Sequence, residues 1–315
     1  MSTFTVSEVD RVEILTLVDN YIDMIVGGNS DVIHRAKVSH SKRESILAEH
    51  GFSALITTVS NGQERTMLFD FGLSTHAAAQ NADTLHSDLT KVEAVALSHG
   101  HLDHFGGLEE MAKRIRPQNM EFVVHPAAFR LSRRVGRSGE KTDILTPVKE
   151  DVEKLGFHIV QTREPYSLLG GNVLFLGQIP RTTEFERGIP NATYEENGQE
   201  VTDDLVDDTS LVMNIKGKGL VVLSGCAHSG IINTVRYAVQ ATGIQKVHAI
   251  MGGFHLNGPA FEPVIGETLV EMLQLAPDYI IPTHCTGRNA IMAIENALPD
   301  AFILNMSGTK LTFQA

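Results

Sequence analysis

Ser98-His99-Gly100-His101-Leu102-Asp103-His104 brings three imidazoles and a carboxylate into one short run of this chain. Core packing and turn formation give no reason for that density, whereas divalent cations select imidazole nitrogen and carboxylate oxygen as ligands. The apolar run Val92 to Leu97 precedes it and Gly106-Gly107-Leu108-Glu109-Glu110-Met111 follows it, which reads as strand, loop and helix. The run therefore sits at the carboxyl end of a strand, where open α/β sheets gather their sites. Asp103 has a second reading as the N-cap of the helix that follows, but capping would not require the histidines.

The chain has 315 residues, 42% of them hydrophobic, and a net charge of -12. That is enough for one large core or two modest ones, and the acidic balance argues against nucleic acid or an anionic membrane as partner. The amino terminus shows no basic region followed by an apolar stretch, and no later run reaches membrane-spanning length. A cytoplasmic protein is the expectation, with a homodimer open. Two cysteines, Cys226 and Cys285, make no disulfide framework and read as reduced thiols.

Outward from the opening run, strands are expected over Val12 to Val18, Phe52 to Val59 and Arg65 to Phe69, the last two joined by an Asn61-Gly62 hairpin turn. Helical patterning covers Thr75 to Leu89 and Gly107 to Ile115, and short strands follow at Glu121 to Val124, Phe157 to Gln161 and Val173 to Leu176. The second half repeats this logic: strands Ser210 to Ile215 and Leu220 to Ser224, then helices near Ile231 to Ala241, Phe261 to Leu275 and Arg288 to Ala297. Two β-rich halves, about 1–180 and 205–315, suggest two sheets face to face with helices outside.

Two segments stand apart. From Lys113 to Lys141 the charge is strongly positive, with Arg133 and Arg134 among its residues and only Glu121 and Glu140 opposing. It reads either as an electropositive wall that draws an anionic substrate or as a solvated surface. From about 182 to 208 the chain is acidic and lacks apolar periodicity, which marks a loop or lid over a site, or a disordered insertion.

Further ligands must come from elsewhere, and three apolar strands end in histidine: Leu220 to Ser224 before Cys226 and His228, Val247 to Met251 before His255, and Tyr279 to Ile281 before His284. His248 and His158 lie within strands and read as structural. His125, at the end of a strand beside the basic segment, is a candidate substrate contact, as are Glu184 and Asp208, whose carboxylates flank the acidic segment.

With these strand ends added, the pattern resembles the metallo-β-lactamase superfamily, whose signature is an H-x-H-x-D-H loop completed by later His and Asp or Cys ligands. The resemblance covers nearly the whole chain. It implies an α/β fold, a four-layered αββα sandwich, as a single domain over 1–315 with a dinuclear metal centre along one edge of the sheets. Leu68-Phe69-Asp70-Phe71-Gly72 is similar to the superfamily's early Asp motif, so Asp70 is expected to support the metal loop from behind. More narrowly, Leu17-Val18-Asp19-Asn20, Glu49-His50-Gly51-Phe52-Ser53, Ser224-Gly225-Cys226-Ala227-His228, Gly252-Gly253-Phe254-His255-Leu256 and Pro282-Thr283-His284-Cys285-Thr286-Gly287 resemble the branch that includes dihydropterin-ribofuranosylaminobenzene phosphate synthase-like proteins.

The superfamily's usual Thr-Pro-Gly-His-like turn is absent, because no histidine lies between His158 and His228. His99, His101 and His228 are therefore assigned to one metal, and Asp103, His104 and His284 to the other. Cys226 falls where the superfamily places a bridging Asp or a Cys ligand, and reads equally as a small residue of the turn. Two divalent ions about 3.5–4 Å apart can share a water and lower its pKa toward about 7. The expected function is a dinuclear metallohydrolase that turns a bridging hydroxide on a small anionic molecule, such as a phosphodiester or phosphate-bearing metabolite. Asp103 and His255 are the catalytic candidates, His255 protonating the leaving group where it is not itself a ligand. Zinc suits the ligands, and manganese or iron would fit too. A metal-dependent pterin or aryl-phosphate transferase is the alternative, and a metal-containing ligand sensor a third reading.

Overall fold

The computed structural model describes residues 3–37, 45–137 and 140–315. Two large sheets pack face to face. One has eight strands in the order Phe157–Gln161, Met120–Val124, Val92–Ala96, Gln63–Phe69, Ser53–Ser60, Arg11–Val18, Lys310–Gln314, Ile33–His34. The other runs Tyr166–Leu168, Val173–Phe175, Ser210–Ile215, Gly219–Ser224, Val247–Gly253, Tyr279–Thr283, with Glu8–Val9 added in parallel to Ser210–Ile215.

The layers follow from alternation along the strands, which puts successive side chains on opposite faces. Leu211 and Met213, Val221 and Leu223, Ala249 and Met251 point toward the first sheet, where they meet Ile14, Ile56, Met67 and Phe69. Their neighbours Val212, Val222 and Ile250 point the other way, against helices Ile231–Thr242, Ile265–Leu275 and Arg288–Ala297. On the far side, Leu68, Val95 and Phe122 pack against helices Ala77–Thr84 and Leu108–Ile115. The result is helix, sheet, sheet, helix. Each fully buried side chain of this kind contributes roughly 1.5–3 kcal/mol.

The sheets draw on both halves of the chain. Lys310–Gln314 pairs with Arg11–Val18 and Ile33–His34, inside the sheet otherwise built from the first 161 residues. Asn61 and Gly62 both take positive φ, 50° and 78°, as a tight hairpin between right-twisted strands requires.

Residues 182–208 are not structureless. Ala192–Glu196 and Gln199–Thr202 form a hairpin that pairs with Arg133–Arg137, itself paired with Glu140–Ile144, to give a third, four-stranded sheet. Neither partner hairpin is apolar on one face, so alternation in sequence could not reveal it; the two segments stabilise each other through backbone pairing and charge. Among the described residues no helix is long and apolar enough to cross a membrane. Both cysteines are free and buried.

Candidate metal centre

Parallel pairing aligns the carboxyl ends that carry the histidines. Gln63–Phe69, Val92–Ala96 and Met120–Val124 run parallel in one sheet, and Gly219–Ser224, Val247–Gly253 and Tyr279–Thr283 in the other. The two edges are stitched together where the Thr209 amide donates to the Ser98 carbonyl at 3.0 Å. Gly225 allows the close approach, since a Cβ there would lie 2.2 Å from Ser98 Oγ.

Two groups of donors result. In the first, the ring nitrogens of His99, His101 and His228 lie within 4.8 Å of one another, and Nε2 of His99 and Nε2 of His228 are 3.1 Å apart. In the second, Asp103, His104, Cys226 and His284 converge: His104 Nε2 is 3.1 Å from Cys226 Sγ and His284 Nε2 is 3.2 Å from Asp103 Oδ2. His255 joins Cys226 and His228 in a third, overlapping set, its ring centroid 4.3 Å from that of His228. The structure thus brings together every residue that the sequence assigned to the two metals, with Cys226 in the second group.

The donor set suits divalent cations on its own chemistry. Nε2 of His101 is buried and makes no hydrogen bond among the described residues, which is costly unless an electron-pair acceptor sits there. Burial holds His99 and His228 well below the ordinary imidazole range and His101 at about 4, so all three present neutral, ligating nitrogens. Burial works against charge on Asp103 too, but His104, His284 and His101 outweigh it and keep the carboxyl well below its usual range. Asp103 sits inside the short helix Leu102–Phe105, whose N-cap is His101, so the capping role does not apply.

The supports behind the ligands are equally specific. Asp70 is fully buried; its Oδ1 accepts the Ser98 amide at 2.8 Å, and its Oδ2 accepts Ser98 Oγ at 2.7 Å and lies 2.6 Å from His104 Nδ1. Burial disfavours a charged His104, but Asp70 and Asp103 reverse the balance and lift it to about 9. A carboxylate on Nδ1 fixes the tautomer that turns Nε2 toward a cation. His284 is held in the same way from the other side: Asp19 Oδ1 accepts its amide at 2.8 Å, and Asn20 Oδ1 lies 3.1 Å from its Nδ1.

Asp19, Asn20 and His50 had no assigned role in the sequence reading, although their motifs were visible there. Asn20 Nδ2 lies 3.1 Å from His50 Nδ1, and His50 Nε2 is 3.7 Å from Asp103 Oδ2, on the open side of the centre. The short polar motifs beside strands Arg11–Val18 and Ser53–Ser60 are thus parts of the site.

A cavity of about 690 Å³ opens beside His228 and His255. Phe185, Phe254 and Phe261 give it apolar walls, with Glu184, Glu186, Arg187 and Glu267 at its polar positions. The ring of Phe261 stands perpendicular to His255 at 4.6 Å. Glu186, on the same segment, closes the N-terminus of helix Ile231–Thr242, accepting the Ile232 and Asn233 amides at 2.8 Å each where the N-cap, Gly230, has no side chain to offer. Glu186→Ala is expected to lower stability by about 1–2 kcal/mol in denaturant titration, the usual cost of a lost cap.

Of the other expected substrate contacts, His125 and Asp208 lie away from the cavity. His125 is buried and caps the turn Pro126–Phe129 by accepting the Ala127 amide at 3.1 Å; burial lowers it to about 4. Asp208 is buried behind the ligand groups, accepts the Ser229 amide at 2.9 Å, and is raised by burial to about 6. Glu184 alone of these lines the cavity.

The basic segment forms no free electropositive wall among the described residues. Acids from other segments meet its cations: Asp83 meets Arg114 at 2.7 Å, Asp203 meets Arg130 at 2.9 Å, Asp143 meets Arg134 at 2.8 Å, and Glu200 meets Lys141. Arg133 is itself buried between Asp203 and Asp207. The Arg137 side chain and residues 138–139 lie outside what is described.

The fold and these donor groups define a metallo-β-lactamase-type protein, and the family model described as metallo-beta-lactamase superfamily matches residues 48–284. This chain belongs to that superfamily. It is 32% identical over 289 residues, 90% of this chain and 91% of the relative, to 7,8-dihydropterin-6-methyl-4-(beta-D-ribofuranosyl)-aminobenzene-5'-phosphate synthase of Methanocaldococcus jannaschii. Among solved structures it matches one described as a metal-dependent hydrolase of the beta-lactamase superfamily, with a TM-score of 0.73 and 23% identity, covering 96% of this chain and 100% of that one. A metallo-beta-lactamase fold protein from Bacillus subtilis matches with a TM-score of 0.51 and 11% identity over 96% of this chain and 100% of that one. At these identities the two structures speak to the fold alone.

Proposed function

We propose that this protein is an enzyme that holds two divalent cations, one on His99, His101 and His228 and one on Asp103, His104, Cys226 and His284, and that it hydrolyses a phosphate-bearing small molecule with an aromatic portion. The observation that carries this reading is a cavity that opens at His228, a member of the first donor group, and at His255, which shares a donor set with His228 and with Cys226 of the second group. Cations bound there would supply Lewis acidity and an acidified water. The chain's own residues do the rest. Asp70 and Asn20 orient the ligating imidazoles, and His255 stands where a leaving group would take a proton.

Charge sets the direction of the substrate. The cavity carries Glu184, Glu186 and Glu267 against Arg187, so an anionic group is favoured at the end beside the cations and a neutral, flat group among Phe185, Phe254 and Phe261. A volume near 690 Å³ suits a metabolite of that size.

The test is a screen of aryl phosphates, phosphodiesters, lactones and thioesters with protein stripped by a chelator and then reloaded with zinc, manganese or iron(II). Hydrolysis that disappears on stripping and returns with one of these metals is expected; hydrolysis indifferent to metal overturns the reading. The likeness to a synthase favours a second reading, in which the same centre activates a phosphorylated aryl compound or a pterin for group transfer. Its signature would be no ester hydrolysis, with the aryl phosphate consumed only when a pterin partner is present.

A further inference from the structure

Arg133 is 1% exposed, and its guanidinium closes on Asp207 as a fork: Nη1 donates to Oδ2 at 2.9 Å and Nη2 to Oδ1 at 2.6 Å. Asp207 Oδ2 also accepts the Gly100 amide at 2.9 Å. Gly100 is the residue between His99 and His101. On its other side the loop is pressed against the turn that follows Met120–Val124, so tightly that a Cβ on Gly100 would lie 2.1 Å from the Ala128 carbonyl oxygen. The same guanidinium holds that turn, with Nη2 donating to the Ala127 carbonyl at 3.1 Å. One side chain therefore fixes both surfaces between which the ligand loop is clamped.

We propose that Asp207 and Arg133 are positioning residues for the first cation, setting the angle between His99 and His101 so that both meet His228. This rests on the reading that those three histidines hold a divalent ion. The network is balanced in charge, because Arg133 Nε lies 2.8 Å from Asp203 Oδ2 and Arg130 pairs with Asp203 at 2.9 Å, giving two guanidiniums to two carboxylates. Its effect is therefore geometric. A lysine at position 133 would keep the charge and lose the planar fork. The small four-stranded sheet gains a purpose here, since Arg133 is carried on its strand Arg133–Arg137.

The test compares wild type with Arg133→Lys and Asp207→Asn, each full-length, stripped and titrated with cobalt(II) against a competing chelator. Of the two groups proposed to hold cations only the second contains a thiol, so its thiolate charge-transfer band reports that group, and a band that changed with the first group's occupancy would show Cys226 shared through the His228–His255 set. Loss of supporting partners of this kind typically costs 10–100-fold in metal affinity. Affinity at the first group is expected to fall by about that factor in both variants, while the thiolate band and its affinity stay as in wild type. Asp207→Asn keeps a side-chain carbonyl for the Gly100 amide, so it provides the comparison if Arg133→Lys does not fold. Folded variants with wild-type affinity at the first group, or with equal weakening at both groups, overturn the positioning role. Wild type that takes up cation only at the thiol-bearing group instead overturns the assignment of the first group, and the positioning role with it.

Discussion

His101→Ala is expected to bind one divalent ion fewer than wild type and to lower turnover of its substrate by at least about a thousandfold. Nε2 of His101 has no partner among the described residues, so its truncation removes a candidate ligand and no internal hydrogen bond at that atom. Loss of a Lewis-acidic cation forfeits several kcal/mol of transition-state stabilisation, and each 1.36 kcal/mol is tenfold in rate. Asp103→Ala is expected to act on the other group, where His284 Nε2 would lose the oxygen now 3.2 Å away. Elemental analysis of each purified variant beside its turnover checks the pair. Full activity in both would exclude these residues from the chemistry.

The second large effect concerns stability. Asp70→Ala removes at once the acceptor for the Ser98 amide, for Ser98 Oγ and for His104 Nδ1, all within the buried junction of the sheets. Each buried donor left without a partner costs about 1–3 kcal/mol, so a loss of more than about 3 kcal/mol is expected in denaturant titration of the metal-free protein. Backbone strain adds to this, because Asp70 has φ of 60°, which Asp and Asn tolerate better than Ala. Asp70→Asn should therefore be the milder variant: its amide oxygen can still serve Ser98, but the amide nitrogen faces donors. Wild-type stability of the Ala variant would show that neither the hydrogen bonds nor the backbone conformation matters there.

Much of this was legible in the sequence for a physical reason. Strands of Val, Leu and Ile that end in His announce themselves, because the apolar run and the ligand lie side by side. His99, His101, Asp103, His104, His228 and His284 were all reached that way, and the geometry gathers them into two groups. What stayed hidden depends on partners distant in sequence. The basic segment read as a possible substrate wall because Asp83, Asp203, Asp207 and Glu200, which meet its cations, lie far from it along the chain. The hairpin over Ala192–Thr202 read as loop because its strands are polar and are held by pairing with Arg133–Arg137. His50 was passed over because a lone histidine in a polar motif carries no signal until Asn20 and Asp103 are seen beside it.

The route by which His284 is held bears on how the protein acquires its shape in time. Asp19 receives the His284 amide across 265 residues, and Asn305 and Ser307 secure Asp19 across 286 and 288. Closing loops of that length costs entropy before any contact rewards it, and chains dominated by such distant contacts fold slowly. The run from His99 to His104, by contrast, carries four of the candidate donors on consecutive chain, although the contacts that clamp it reach back to Asp70 and forward to Asp207. During refolding, those donors are neighbours along the chain before His284 and Asp207 are brought to them, so a cation supplied early would meet an incomplete and unclamped set.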